Sequence, residues 1–175
     1  MTPPSFKHRD IRLSASVKAQ PEHVFKSLTS ARELCAWWTD RAETDARNGG
    51  RLRLVWPATA EEPAREARGL FVDLEAGQKA AWLWSPAGRG VPPLVTFFIE
   101  RRRGGASVTL QHAGFSAAAA CDRRYGDWSR FWEDCLAKLA LYLDAGKTCK
   151  AERLALRDVD RLRRGRASRP QALAR

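Results

Sequence analysis

Between Asp127 and Gly146 apolar side chains recur at spacings of three and four. Trp128, Trp132, Cys135, Leu136, Leu139 and Leu143 fall on one stripe of a helix. The helix is predicted to begin near Asp122 and to stop before Gly146, a residue free to adopt positive φ. Its stripe needs an apolar cover, and the segments before it have the pattern of half-buried strands.

Residues 11–19 alternate apolar and polar, placing Ile11, Leu13, Ala15 and Val17 on one face of a strand. Pro21 opens a short helix with Val24, Phe25 and Leu28 inward, and Thr29-Ser30 ends it. Ser30, with Glu33 three residues on, has the spacing of a capping box for a second short helix over 31–38. Asn48-Gly49-Gly50 marks a turn, after which Leu52, Leu54 and Trp56 share a face of a strand over 51–56. Residues 58–66, rich in acids and holding Pro63, read as a polar loop, and strands are predicted over 68–74 and 79–84. Two more, 94–101 and 106–112, flank a hairpin connection at 102–105 whose glycines can supply positive φ. The Pro- and Gly-rich stretch 85–93 belongs outside the sheet, 114–120 is a linker of undecided form, and 150–164 is either a short helix or disordered.

Composition narrows the class without naming a function. The chain has 175 residues, 44% of them apolar and seven of them Trp, which suits one folded domain with a real core. The expected division is a domain over 9–146 and a basic tail over 147–175. Ten Lys or Arg against three acids give that tail +7 of the total formal charge of +11. Such a tail can attract nucleic acid or an anionic surface, although a solvated appendage is the simpler reading. No apolar run is long enough to span a membrane, and the first ten residues lack the apolar core of a signal peptide, so a soluble cytoplasmic protein is expected. Cys35, Cys121, Cys135 and Cys149 and the three histidines are scattered, without metal-ligand spacing, and Cys35 and Cys135 read as small buried hydrophobes. No nucleotide-binding glycine motif is present, so neither metal nor cofactor is expected.

The order strand, two short helices, about five further strands, long C-terminal helix is that of an α+β helix-grip fold. Three stretches carry a family likeness: Pro21-Glu-His-Val-Phe25 with Leu34-Cys-Ala-Trp-Trp38, then Val108-Thr-Leu-Gln-His-Ala-Gly-Phe115, and Asp127-Trp128 leading into 136–143. Over residues 9–146 the chain resembles the SRPBCC (START-like, birch-pollen-allergen-like) superfamily, in the polyketide-cyclase-like branch named for activators of the heat-shock-90 ATPase. Members commonly have Gly directly before the helix Trp; here Asp127 stands there, with Gly126 one step earlier. The resemblance implies an antiparallel sheet of about six strands curved around the long helix, a cavity between them, and the two short helices closing one end. It does not imply one activity, because a fold hosts many functions.

Candidate ligand-binding residues follow from faces. Val108, Leu110 and His112 share a strand face, which would set the His112 imidazole near the cavity mouth as a hydrogen-bonding or acid-base group; a structural His is the alternative. Trp37 and Trp38 are adjacent, so on a helix they diverge by about 100° and one is expected to line the lid. Trp56, Trp82, Trp84, Trp128 and Trp132 either wall a cavity or fill the core. Arg32, Glu33, Asp40 and Asp127 read as solvated charges near the opening. The leading expectation is a protein that binds a small apolar or aromatic ligand. Its rivals are a cofactor-free enzyme of cyclase or hydrolase type, with His112 or Asp40 as acid or base, a chaperone-regulator-like module with a protein partner, and nucleic-acid contact through the tail.

Overall fold

The structure, a computed structural model, describes residues 7–85 and 89–164. Seven antiparallel strands form one sheet: β1 (His8–Val17), β2 (Arg41–Thr44), β3 (Arg51–Trp56), β4 (Arg65–Glu75), β5 (Lys79–Trp84), β6 (Leu94–Arg102) and β7 (Gly105–Ser116), in the order β1-β7-β6-β5-β4-β3-β2. β1 and β2, consecutive in sequence, stand at opposite edges. The helices α1 (Pro21–Thr29) and α2 (Ala31–Trp37) carry the chain between them. The long helix α3 (Asp122–Ala145) packs on β1 and β7, completing the helix grip.

The extra strand is β2. Arg41 and Glu43 are exposed while Ala42 and Thr44 are only partly buried, so the segment lacks the apolar alternation by which a strand is recognised. Its ladder with β3, from Arg41 opposite Val55 to Thr44 opposite Leu52, holds it instead, and charged side chains suit an edge. β4 likewise begins inside the expected loop. Arg65 pairs with Trp56 and Glu66 with Val55, and the polar run is secured by Arg53, which bonds the Glu66 carboxylate through two nitrogens at 3.0 and 2.9 Å. β7 runs four residues past His112, pairing Phe115 with Arg9 and Ser116 with His8 across a register shift in β1. Asp10 fills that shift by accepting from the Gly114 N–H and the Gln111 amide, both at 2.9 Å, and these bonds hold its carboxyl below the usual carboxylate range.

The capping box over α2 does not form. Ser30 occupies the N-cap without a side-chain cap bond, and the Ala31 N–H donates to Thr44 Oγ1 of β2 at 3.1 Å. Glu33 turns away from the cap and accepts from the Tyr142 hydroxyl of α3 at 2.8 Å, tying α2 to the long helix.

α3 ends as its sequence predicts. Gly146 takes φ 60°, and its N–H bonds back into the last turn. Burial on this helix is broader than one stripe, for Lys138 and Leu141 are buried as well. The cause is a strap, residues 147–164, folded along α3. The Leu154 N–H donates to Asp134 at 2.8 Å, Lys147 reaches the Leu162 carbonyl at 2.6 Å, and Arg163 pairs with the almost fully buried Asp144 at 2.6 Å. Only Val159–Arg164 of the strap is α-helical (α4), with Val159 buried. Lys147, Lys150, Arg153, Arg161 and Arg163 all spend their charge on partners within the protein. The remainder of the expected tail, from Gly165 on, lies outside the described residues, as do residues 86–88 of the expected 85–93 loop. No helix of the described residues is long and apolar enough to cross a membrane.

Candidate functional site

β5 ends at Trp84, opposite Gly69, whereas β4 continues from Gly69 back to Arg65. From Arg68 back to Arg65 β4 has no β5 neighbour. The gap, roofed by the first turns of α3, is a cleft of about 590 Å³. Its walls are aromatic: Trp56 from β3, Trp84 from β5, and Trp128 and Phe131 from α3. Its rim is charged, with Arg65, Glu66 and Arg68 on β4 and Asp127 on α3.

The alternation of β3 and β5 places Trp56 and Trp84 on the helix-facing side, and a three-residue step on α3 puts Phe131 beside Trp128, with ring centres 5.3 Å apart and nearly perpendicular. Trp56 meets Phe131 edge-on at 6.1 Å. Trp128 and Phe131 are half-buried, so part of each ring remains free. The rim acids are committed. Glu66 takes hydrogen bonds from Arg53 and then Arg68, which pull its carboxyl down to about 2, and Asp127 is bonded to Arg130 at 2.5 Å. A broader concavity of about 810 Å³ lies on the outer sheet face around Arg51, Arg53 and Arg68, but it lacks such aromatic walls.

The other tryptophans form a layer behind the cleft. Trp132 is fully buried and nearly parallel to Trp84, 6.4 Å away. Trp82 is buried against Phe97 at 5.1 Å. Trp82 Nε1 and Trp84 Nε1 find no acceptor among the described residues. Contrary to the expected divergence, Trp37 and Trp38 are both buried, with rings stacked at 5.3 Å and 7°. Trp38 is the C-cap of α2, with φ −121° and ψ −47°, and leaving helical geometry swings its ring alongside its neighbour's. Trp37 is fixed by donating to the Ser27 carbonyl at 2.9 Å.

His112 does not stand at the rim. It is fully buried behind Trp128, 5.2 Å ring to ring, between a donor and an acceptor. The Trp132 indole N–H donates to its Nδ1 at 2.9 Å, and its Nε2 lies 2.6 Å from the Pro92 carbonyl. An indole can only donate and a carbonyl only accept, so the imidazole is neutral with its proton on Nε2. Burial presses its pKa below 6.5, with the bond to Pro92 acting the other way. Asp40 and Arg32 are not among the cleft's lining residues. Phe131, Arg65 and Arg68 join the site unforeseen. The three-residue spacing from Trp128 was the available signal for Phe131; Arg65 was hidden by reading 58–66 as loop, whereas Arg68 stood at the start of the expected strand 68–74 with nothing in the pattern to mark it as rim. Among the described residues no cluster of His, Cys, Asp or Glu has the arrangement of a metal site.

Three solved structures share the fold at low identity. Protein SSP2350 from Staphylococcus saprophyticus aligns with TM-score 0.68 at 19% identity, over 82% of this chain and 98% of its own. The Aha1 dimer from Colwellia psychrerythraea gives 0.60 at 20%, over 79% and 98%. CalU16 from Micromonospora echinospora gives 0.62 at 18%, over 95% and 88%. No curated protein matches in sequence. Residues 18–144, from the end of β1 to the last turn of α3, match the family described as Activator of Hsp90 ATPase homolog 1-like protein. With the helix grip and most of its length inside that match, the chain belongs to this family of the SRPBCC superfamily.

Proposed function

We propose that this protein binds a small apolar or aromatic molecule in the cleft between the β4 edge and the first turns of α3. The observation that carries the reading is the convergence of Trp56, Trp84, Trp128 and Phe131 on one space of about 590 Å³. Ligand sites typically enclose roughly 300–1,000 Å³ and are mostly apolar with a few placed polar groups. Aromatic rings offer large contact area at little cost in side-chain freedom. Binding is favoured over turnover by the engagement of the rim carboxylates: Glu66 accepts from Arg53 and Arg68, and Asp127 from Arg130, which suits charge pairing better than proton transfer.

Native mass spectrometry of the freshly purified protein, followed by a thermal-shift screen of aromatic and lipid-like compounds, tests the reading. A ligand at a hundred times its Kd adds ~2.7 kcal/mol, a rise of roughly 5–10 °C in Tm for a chain of this size. A co-purifying hydrophobe or such a shift is the expected result. No adduct, and no shift across the library, would sink it.

A further inference from the structure

The arginines around the cleft differ in how their charge is met. Arg53 is bonded by Glu43 and Glu66, Arg68 by Glu66, and Arg130 by Asp127. Arg65 has no side-chain hydrogen bond among the described residues. Its nearest carboxylate, Glu62, stands 3.6 Å away and is itself paired with Arg153 of the strap. The Arg65 guanidinium lies 5.5 Å from the ring centre of Trp56 and 5.4 Å from that of Phe131, two of the rings that wall the cleft.

Partial burial lowers the Arg65 pKa from the ordinary arginine value, while the Asp134 carboxylate acts in the opposite sense. A guanidinium stays charged under such a shift, and its planar fork of five N–H donors matches a carboxylate in two-point contact. The cleft therefore presents an aromatic slot with one cation beside it that lacks a dedicated anion. Glu66 and Asp127, the acids of the rim, do not fill that role, being neutralised by Arg53, Arg68 and Arg130.

We propose that the cleft selects flat apolar monoacids, the ring system held by Trp84, Trp128 and Phe131 and the carboxylate by the guanidinium of Arg65. The proposal rests on the binding function proposed above and names its ligand class. One unmatched positive charge calls for one negative charge; a phosphate monoester brings about two at neutral pH and would leave the second uncompensated.

Calorimetric titration of the full-length protein with 2-naphthoate, 2-naphthamide and 2-naphthyl phosphate tests this. The acid is expected to bind about tenfold more tightly than the neutral amide, the order of one charge-assisted two-point contact in a partly wet site. Arg65→Gln should bring the acid-to-amide ratio close to one, and Arg65→Lys should keep part of the preference. The Tm of each variant confirms folding. If neither acid nor amide binds, this proposal falls, and the binding function falls with it when the adduct search and library screen are also blank. Equal binding of acid and amide by the unmodified protein leaves the binding function standing and overturns the acid class. A preference that survives Arg65→Gln removes Arg65 as the anchor, and tighter binding of the phosphate overturns the monoacid assignment.

Discussion

The indole N–H of Trp132 donates to Nδ1 of His112 at 2.9 Å, making the imidazole the middle member of a buried chain that ends at the Pro92 carbonyl. The chain joins α3, β7 and the segment before β6 directly behind the cleft. It fixes the ring of Trp132, against which Trp84 and Trp128 pack. The most chemically suggestive side chain of the sequence thus has both ring nitrogens satisfied by the protein itself.

Replacing that imidazole should cost stability. His112→Ala leaves the Trp132 N–H and the Pro92 carbonyl buried without partners, at about 1–3 kcal/mol each, so a total loss of roughly 2–6 kcal/mol is expected in urea melts. Affinity of the remaining folded protein for a cleft ligand should change little. A tenfold loss of affinity with stability preserved would return His112 to the ligand site.

The same residue sets a pH dependence. Its folded pKa lies below the ordinary 6.5, so the unfolded chain takes up a proton before the folded one does. His112 therefore contributes stability that is fully present above pH 6.5 and is lost as pH falls through the depressed folded pKa. Tm should decline below pH 6.5, and less steeply in His112→Gln, which cannot titrate. Parallel declines in the two proteins would refute the assignment.

Glu66 governs a more acidic window. Its folded pKa of about 2, set by the bonds from Arg53 and Arg68, lies below the ordinary 4.5. Its contribution is present above pH 4.5 and disappears as pH falls toward 2. The cluster is exposed, so Glu66→Gln should alter Tm at pH 7 only slightly, and the difference between variant and parent should vanish by pH 2. A difference that instead grows on acidification contradicts this reading.

The strap also carries stability. Val159 is buried at the start of α4, and truncating it to Ala removes two methyl-sized groups worth ~0.8 kcal/mol each, plus a small cavity term. Val159→Ala should therefore cost roughly 1.5–2.5 kcal/mol, and Arg163→Ala should lower Tm further by leaving the almost fully buried Asp144 carboxylate without its cation. Denaturant melts check both. Parental stability in both variants would mean that the strap is only laid on the surface.

Elements with a strong apolar period were visible in the sequence: β3 and β5 have the expected bounds, and α3 starts and stops where its stripe and Gly146 indicate. What escaped was held by other forces. β2 and the first residues of β4 are strands because of ladder bonds and the Arg53–Glu66 pair, neither of which leaves a hydrophobic alternation. The cleft escaped for the same reason. It exists because β4 outruns β5, a difference in strand length set by pairing that no single segment's pattern records. Trp56, Trp84 and Trp128 could be named as aromatic candidates, but which rings wall a space and which sit behind it depends on that gap.

Trp128 and Trp132 separate those two roles, one helical turn apart on α3. Trp132 is fully buried among Trp84, Phe97 and His112, so Trp132→Ala should cost ~3–5 kcal/mol, the usual loss for a core aromatic. Trp128 is half-buried with one side on the cleft, and its truncation forfeits less packing but a wall of the proposed site. Trp128→Ala should lower stability by clearly less than Trp132→Ala and weaken binding of an aromatic ligand at least tenfold, the order expected for loss of a well-packed aromatic anchor, about 1.4 kcal/mol or more. Paired melts and titrations of the two variants give both quantities. Equal losses of stability, with ligand affinity untouched by Trp128→Ala, would make Trp128 part of the filling and leave the cleft without its roof.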